Sequence, residues 1–315
     1  MKEIGGYLEL ERPAGQEYHH GLLALNTGRN AVAYLIKARK IRKLYIPLFL
    51  CDCVEAVCQR EGCEYEYYPV GKDFLPIFDR TLADGEWLYV VNFYGQLSNA
   101  VVRQLKRCYV NLIFDNAHAF FQLPVQGVDT IYTCRKFFGV PDGAYLATDA
   151  VFPEPLEKDR SAGRMSHLLG RLESGASEHY QAFKANDASF RELPVRWMSE
   201  LTHCLLRGID YSGAREQRNQ NYAVLARALD AKNGMDFAVP DGPYAYPFYC
   251  ENGMQAKRLL AKEGIYVATL WPNVLEAEGT TEKKLAENIL PLPCDQRYDA
   301  ADMMRIIEEV RKCIG

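Results

Sequence analysis

No run of apolar residues in this chain of 315 approaches the roughly twenty that a helix needs to cross a bilayer. The opening residues, Met-Lys-Glu-Ile-Gly-Gly-Tyr, hold no apolar core of the kind a secretion signal carries. A cytoplasmic protein without a membrane partner is therefore expected. An excess of one charge is also missing. Lys and Arg number 37 against 41 Asp and Glu, a formal net charge of -4, so no basic field exists to draw in a nucleic-acid backbone. Histidine is scarce, at six residues, and none of the ten cysteines forms a Cys-x-x-Cys pair. Cys51, Cys53, Cys58 and Cys63 cluster loosely, but their spacing fits no zinc module and no histidine stands beside them, so no metal is expected. A chain this long has core enough to dispense with disulfides, and reduced thiols are the expectation. His19 and His20 lack a carboxylate or cysteine spaced to join them as ligands, which leaves a surface or interface role. Neither a P-loop lysine nor the three spaced glycines of a dinucleotide fingerprint is present, so nucleotide binding by those routes is unsupported.

What remains is an ordinary globular composition, 48% hydrophobic and 25% charged, long enough for one large domain and a smaller one. Residues 1–20, with Gly5-Gly6, Pro13 and Gly15, read as an irregular arm. A short strand over 22–25 runs into Asn26-Thr-Gly-Arg-Asn30 and then a helix. Unpaired N–H groups and the helix dipole make that helix start a seat for phosphate, although Thr27 or Asn30 as a plain cap would explain the turn alone. Strand-like runs follow at 43–46, 64–68, 86–91 and 112–114, with helical patterns at 53–61 and 99–107 between them. This alternation predicts an α/β fold, a mostly parallel sheet with helices on both faces. Such sheets place ligands beyond the carboxyl ends of their strands. Gly28, Asn92 and Asp115 all fall there. Past residue 150 the texture changes. Helical patterns are expected over 161–186, 196–210 and 212–229. Strand-like 246–250, helical 254–263, strand-like 266–271 and a closing helix over 300–313 then predict a small α+β domain. The expected division is an arm at 1–20, a large domain at 21–210 and a small domain at 211–315.

One stretch organises the rest: Ile131-Tyr-Thr-Cys-Arg-Lys136-Phe-Phe-Gly-Val-Pro-Asp-Gly143-Ala-Tyr-Leu146. It sets a lysine on a Gly/Pro-rich loop between two strand-like runs, downstream of Asp115 at the end of Val110-Asn-Leu-Ile-Phe114. A lysine so placed, with a carboxylate at an earlier strand end, is the minimal equipment for holding pyridoxal 5'-phosphate. The amine anchors the cofactor's aldehyde and the carboxylate pairs with the ring nitrogen. Phe49, just after Pro47, is the expected aromatic against the ring, with Tyr94 second.

With these residues in place the chain resembles the DegT-type sugar aminotransferases, a branch of the fold type I pyridoxal-phosphate enzymes. The resemblance runs from Asn26-Thr-Gly-Arg-Asn-Ala31 to the tail beginning Leu290-Pro-Leu-Pro293. It rests on Phe93-Tyr-Gly-Gln96, Phe114-Asp-Asn-Ala-His-Ala119 and Tyr132-Thr-Cys-Arg-Lys136. It implies Lys136 as the catalytic lysine, Asp115 facing the ring nitrogen and His118 near the ring's phenolic oxygen. Gly28, Arg29, Asn30 and Thr133 would hold the phosphate. It also implies a homodimer that moves an amino group from an amino donor to a nucleotide-linked keto-sugar, with Asn92, Tyr94 and Arg196 as candidates for substrate contact. Two departures stand out. Asn92 replaces the family's usual histidine, and Pro194 replaces an asparagine that reaches the partner's phosphate. Another pyridoxal-phosphate reaction on an amino acid, or a catalytically silent relative, are the alternative readings.

Overall fold

The computed structural model describes residues 4–314. The first part of the chain lays down β1 (Leu23–Leu25), α1 (Gly28–Ala38), β2 (Lys43–Pro47), α2 (Asp52–Glu61), β3 (Glu64–Tyr68) and β4 (Glu86–Val91). Next come α3 (Asn99–Cys108), β5 (Leu112–Asp115), β6 (Asp129–Thr133) and β7 (Ala144–Ala147). These strands form one seven-stranded sheet in the order β1-β7-β6-β5-β4-β2-β3. Strands β3, β2, β4, β5 and β6 pair in parallel, and β7 runs antiparallel to both its neighbours. The α/β alternation is thus realised as expected.

Local chemistry sets the boundaries. Thr27 caps α1 by accepting the N–H of Asn30, and Gly62 ends α2 in the left-handed conformation that glycine adopts without steric cost. Central strands β4 and β5 are almost wholly buried, which is why they read as continuous apolar runs and not as alternating ones.

The remainder is mostly helical: α4 (Ser166–Glu173), α5 (Tyr180–Ser189), α6 (Glu200–Arg207) and the 19-residue α7 (Tyr211–Leu229). Then come β8 (Tyr246–Tyr249), α8 (Gly253–Lys262), α9 (Thr281–Asn288), β9 (Ile289–Leu292) and α10 (Ala300–Ile314). Strands β8 and β9 form a separate antiparallel pair. A second apolar core, with Leu225, Phe248, Leu260, Leu290, Met303 and Val310, lies under this pair. No helix among the described residues is long and apolar enough to cross a membrane.

Several expectations are corrected. The helical pattern over 196–210 holds only from Glu200, because Ser199 caps the helix there and Trp197 instead makes bridge contacts with Leu25 and Lys158. Residues 266–271 form no strand; the partner of β8 is β9, which follows α9. Cys51 and Cys53 are joined as a disulfide across the start of α2, while the other eight cysteines are free. His19 is not at the surface. It is 3% exposed, hydrogen-bonded to the carbonyl of Phe120 at 2.7 Å and packed between the rings of Tyr132 and Phe120.

Candidate active site

Strand β5 ends on Asp115 and β6 on Thr133, and the chain then turns through a loop that carries Lys136 before returning as β7. The loop is closed at its base by the N–H of Cys134 donating to the carbonyl of Gly143. Gly143 has φ of 106° and lies so close to Thr202 that a Cβ would sit 2.9 Å from it, so only glycine fits. From below, Arg218 of α7 donates to the carbonyl of Phe137 at 3.1 Å and lies over its ring, while Gln296 donates to the same carbonyl at 2.8 Å. The lysine loop is therefore held by two groups from outside the sheet.

A cavity of about 320 Å³ opens at these strand ends and brings together Lys136, Asp115, His118, Thr133, Gly28 and Arg29. Six of the residues expected from the sequence thus face one space. The Lys136 side chain faces the cavity and lies deep in the protein. Burial pulls its amine below the usual lysine range, with Asp115 opposing and Arg135 adding to the fall. Burial pushes the Asp115 carboxyl up, against Lys136, the Tyr89 hydroxyl and the N–H of Ala117. His118 is fully enclosed, stacked on Tyr244 at 4.2 Å, and its Nδ1 lies 3.3 Å from the backbone N–H of Tyr94. That contact assigns the ring proton to Nε2. Burial, reinforced by Lys136, holds the ring well below its ordinary value, so it is neutral.

The opposite end of the cavity is cationic. Arg29 and Arg135 both pair with Asp187 of α5, at 3.0 Å each. Burial opposes ionisation of Asp187, but the two guanidiniums prevail and hold it below the usual carboxylate range. Two polar atoms here, Arg29 Nε and Thr133 Oγ1, are buried without a hydrogen-bond partner among the described residues. Unmet buried donors of this kind are costly unless a ligand completes them. Gly28 opens α1 so close to β6 that a Cβ would lie 2.6 Å from Thr133 Cγ2. The donors, the helix start and the close packing suit a phosphate, and Lys136 with Asp115 suit the aldehyde and ring nitrogen of pyridoxal phosphate. The residues present fit the group.

Other expected residues lie elsewhere. Phe49 does not line the cavity. It is fully buried behind the wall against Phe93 and Trp271, because apolar packing claims it. Tyr94 is likewise core. Asn92 is fully buried and spends its amide on Leu97, Asn116 and Gln122. Asn30 bonds Asn26 and the Pro194 carbonyl. Arg196 pairs with Glu157 and Asp159. Sequence reasoning missed Tyr89, Arg135, Asp187 and Trp271, all in the lining. Arg135, adjacent to the lysine, was the one a search for cations near Lys136 could have found.

A scan of protein-family models found no match to this chain, and no curated protein matches either. Solved structures do. An aminotransferase of the DegT, DnrJ, EryC1 and StrS group from Brucella abortus superposes with a TM-score of 0.63 at 16% identity, over 93% of this chain and 86% of that one. NtdA from Bacillus subtilis, solved with its cofactor PMP, gives 0.65 at 14%, over 93% and 73%. DesI, solved with its TDP-sugar product, gives 0.62 at 14%, over 93% and 80%. The fold is the one these aminotransferase structures share. Within that class it is the fold shared by DegT-type sugar aminotransferases.

Proposed function

We propose that this chain is a pyridoxal-phosphate-dependent aminotransferase of the DegT type. It would transfer an amino group from an amino acid to a nucleotide-linked keto-sugar. The observation that carries the reading is the single cavity where Lys136, Asp115 and His118 meet a cationic end with unmet donors. The sugar assignment rests on the shared fold and on DesI with its TDP-sugar product, and the sequence resemblance points the same way.

When bound, pyridoxal phosphate supplies an aldehyde that links to amines and a ring that accepts electron density. Lys136 would anchor it. Its desolvated amine, favoured in the neutral form, would be free to take a proton from the substrate's Cα. Asp115 would pair with the ring nitrogen and favour its charged form. Neutral His118, with its proton on Nε2, would be a donor for the phenolic oxygen. Gly28, Arg29 and Thr133 hold the phosphate through N–H, guanidinium and hydroxyl donors. The reading includes a homodimer, with exposed Leu169, Leu172 and Tyr180 on α4 and α5 as apolar surface available to a second copy. It also includes a cytoplasmic setting, where amino donors and nucleotide-linked sugars are found, and a division into large and small domains near residue 210.

The test is direct. Protein incubated with pyridoxal phosphate, reduced with borohydride and digested should carry the cofactor's mass on the peptide containing Lys136, and Lys136→Ala should carry none. Mixing with L-glutamate and other donors should then convert the cofactor to pyridoxamine phosphate, and a panel of nucleotide-linked keto-sugars should reverse it. No mass at Lys136 ends the proposal; mass without conversion by any donor ends transamination.

A further inference from the structure

The proposed function leaves one buried polar contact in the cavity unexplained. Strand β4 reads Glu86-Trp-Leu-Tyr89-Val-Val91, and in the parallel register Val91 lies beside Asp115 of β5. Tyr89, two residues earlier, projects from the same face of the sheet as Val91. The length of its ring carries the hydroxyl up to the strand end, where it donates to Asp115 Oδ2 at 2.7 Å. The other carboxylate oxygen, Oδ1, accepts the N–H of Ala117, also at 2.7 Å. Each oxygen therefore has one donor from the protein and capacity left over on the cavity side.

Packing alone does not call for this tyrosine. The ring is 1% exposed and lies in the apolar core, where phenylalanine would fill the same space. What the hydroxyl adds is a charge-assisted hydrogen bond, worth more than a neutral one. Burial and the neighbouring Asp115 both hold the phenol protonated, so it serves that carboxylate as a donor. Burial disfavours ionised Asp115, and its two hydrogen bonds work against that tendency.

We propose that Tyr89 is a positioning residue for the ring nitrogen of the cofactor. Its hydroxyl fixes the plane of the Asp115 carboxylate and keeps it the weaker base of the pair, so that the shared proton stays on the nitrogen. This rests on the aminotransferase reading above. Removing the hydroxyl makes Asp115 more basic and draws the proton toward it. The ring then accepts electron density less well, while Lys136 and the phosphate contacts are left alone.

The experiment uses the full chain loaded with pyridoxal phosphate labelled with nitrogen-15 in the ring. In Tyr89→Phe the ring-nitrogen resonance should move toward that of a neutral pyridine, and the half-reaction with an amino donor should slow by about tenfold or more, the loss expected for one hydrogen bond to a charged group. The cofactor's affinity and the donor's KM should hold. A second variant carries 3-fluorotyrosine at position 89; as a stronger donor of the same shape, it should keep or increase the pyridinium signal. An unmoved resonance in loaded Tyr89→Phe overturns the assignment. A wild-type chain that takes up no cofactor overturns it together with the function on which it rests, and borohydride fixation at Lys136 tells the two failures apart.

Discussion

A histidine surrounded by aromatic rings is a liability in acid. Burial pulls His19 down to about 4 from an ordinary 6.5, with its bond to the Phe120 carbonyl only partly opposing. Between those values the unfolded chain binds a proton that the folded chain refuses. Stability is therefore complete above about pH 6.5 and falls as the pH drops toward 4, by about 3 kcal/mol from this residue. His19→Gln keeps a donor for the carbonyl and takes up no proton, so urea unfolding of that variant should show a shallower decline over the same window. An unchanged slope would mean that other groups set the acid limit. His19 also shows why single residues are hard to read from sequence. Nothing near it in the chain announces that Phe120 and Tyr132, a hundred residues on, will enclose it. The placement of Asp115 at the end of β5 and of Lys136 on the loop after β6 was legible because strand ends are local features.

At the scale of elements, the lysine loop is the part whose support comes from farthest away. Arg218 sits fully buried on α7 and donates to Gln296 and to the carbonyls of Pro243 and Phe137. Arg218→Met keeps much of the stem's bulk but leaves the Pro243 carbonyl without this donor, at a cost of about 2 kcal/mol. Because Phe137 follows the lysine directly, borohydride should also fix less cofactor on Lys136 in this variant. Loss of stability with full fixation would show that Arg218 braces the fold and not the site. Charge along a helix usually marks a solvated face, and on α7 Arg227 is exposed while Arg218 is buried. Periodicity cannot tell a guanidinium that snorkels to water from one that caps buried carbonyls. The strands of the sheet were readable for the opposite reason, since full burial writes an unbroken apolar run. Residues 266–271 carry a similar run but pair with nothing, and there the same signal misled.

Taken as a whole, the molecule has three apolar clusters among the described residues, and α7 spans two of them: its Ala214 packs with the aromatic cluster under the lysine loop, and its Leu225 and Leu229 enter the core beneath β8 and β9. The cavity draws on parts of the chain that no local motif connects: α1, α2, β4, β5, the lysine loop, α5 and residues 269–271. That is why Asp187 and Trp271 escaped the sequence and why Phe49 was placed on the wrong side of the wall. In the proposed homodimer a neighbour would matter most at the cationic end of the cavity. Asparagine is absent at 194, and the Pro194 carbonyl instead accepts from Asn26 and Asn30 of its own chain, while Arg60 ties down the carbonyls of Arg191 and Leu193. The segment that would reach a neighbour is bound at home, and Arg29, Arg135 and Thr133 supply the cationic end from within one chain. A homodimer of this protein should therefore hold its cofactor independently of the partner. Sedimentation velocity over a dilution series, with the cofactor's absorbance followed in the same cell, should show the dimer boundary giving way to monomer while the cofactor stays with the protein. Release in step with dissociation would mean that the neighbour contributes a contact these two arginines do not replace.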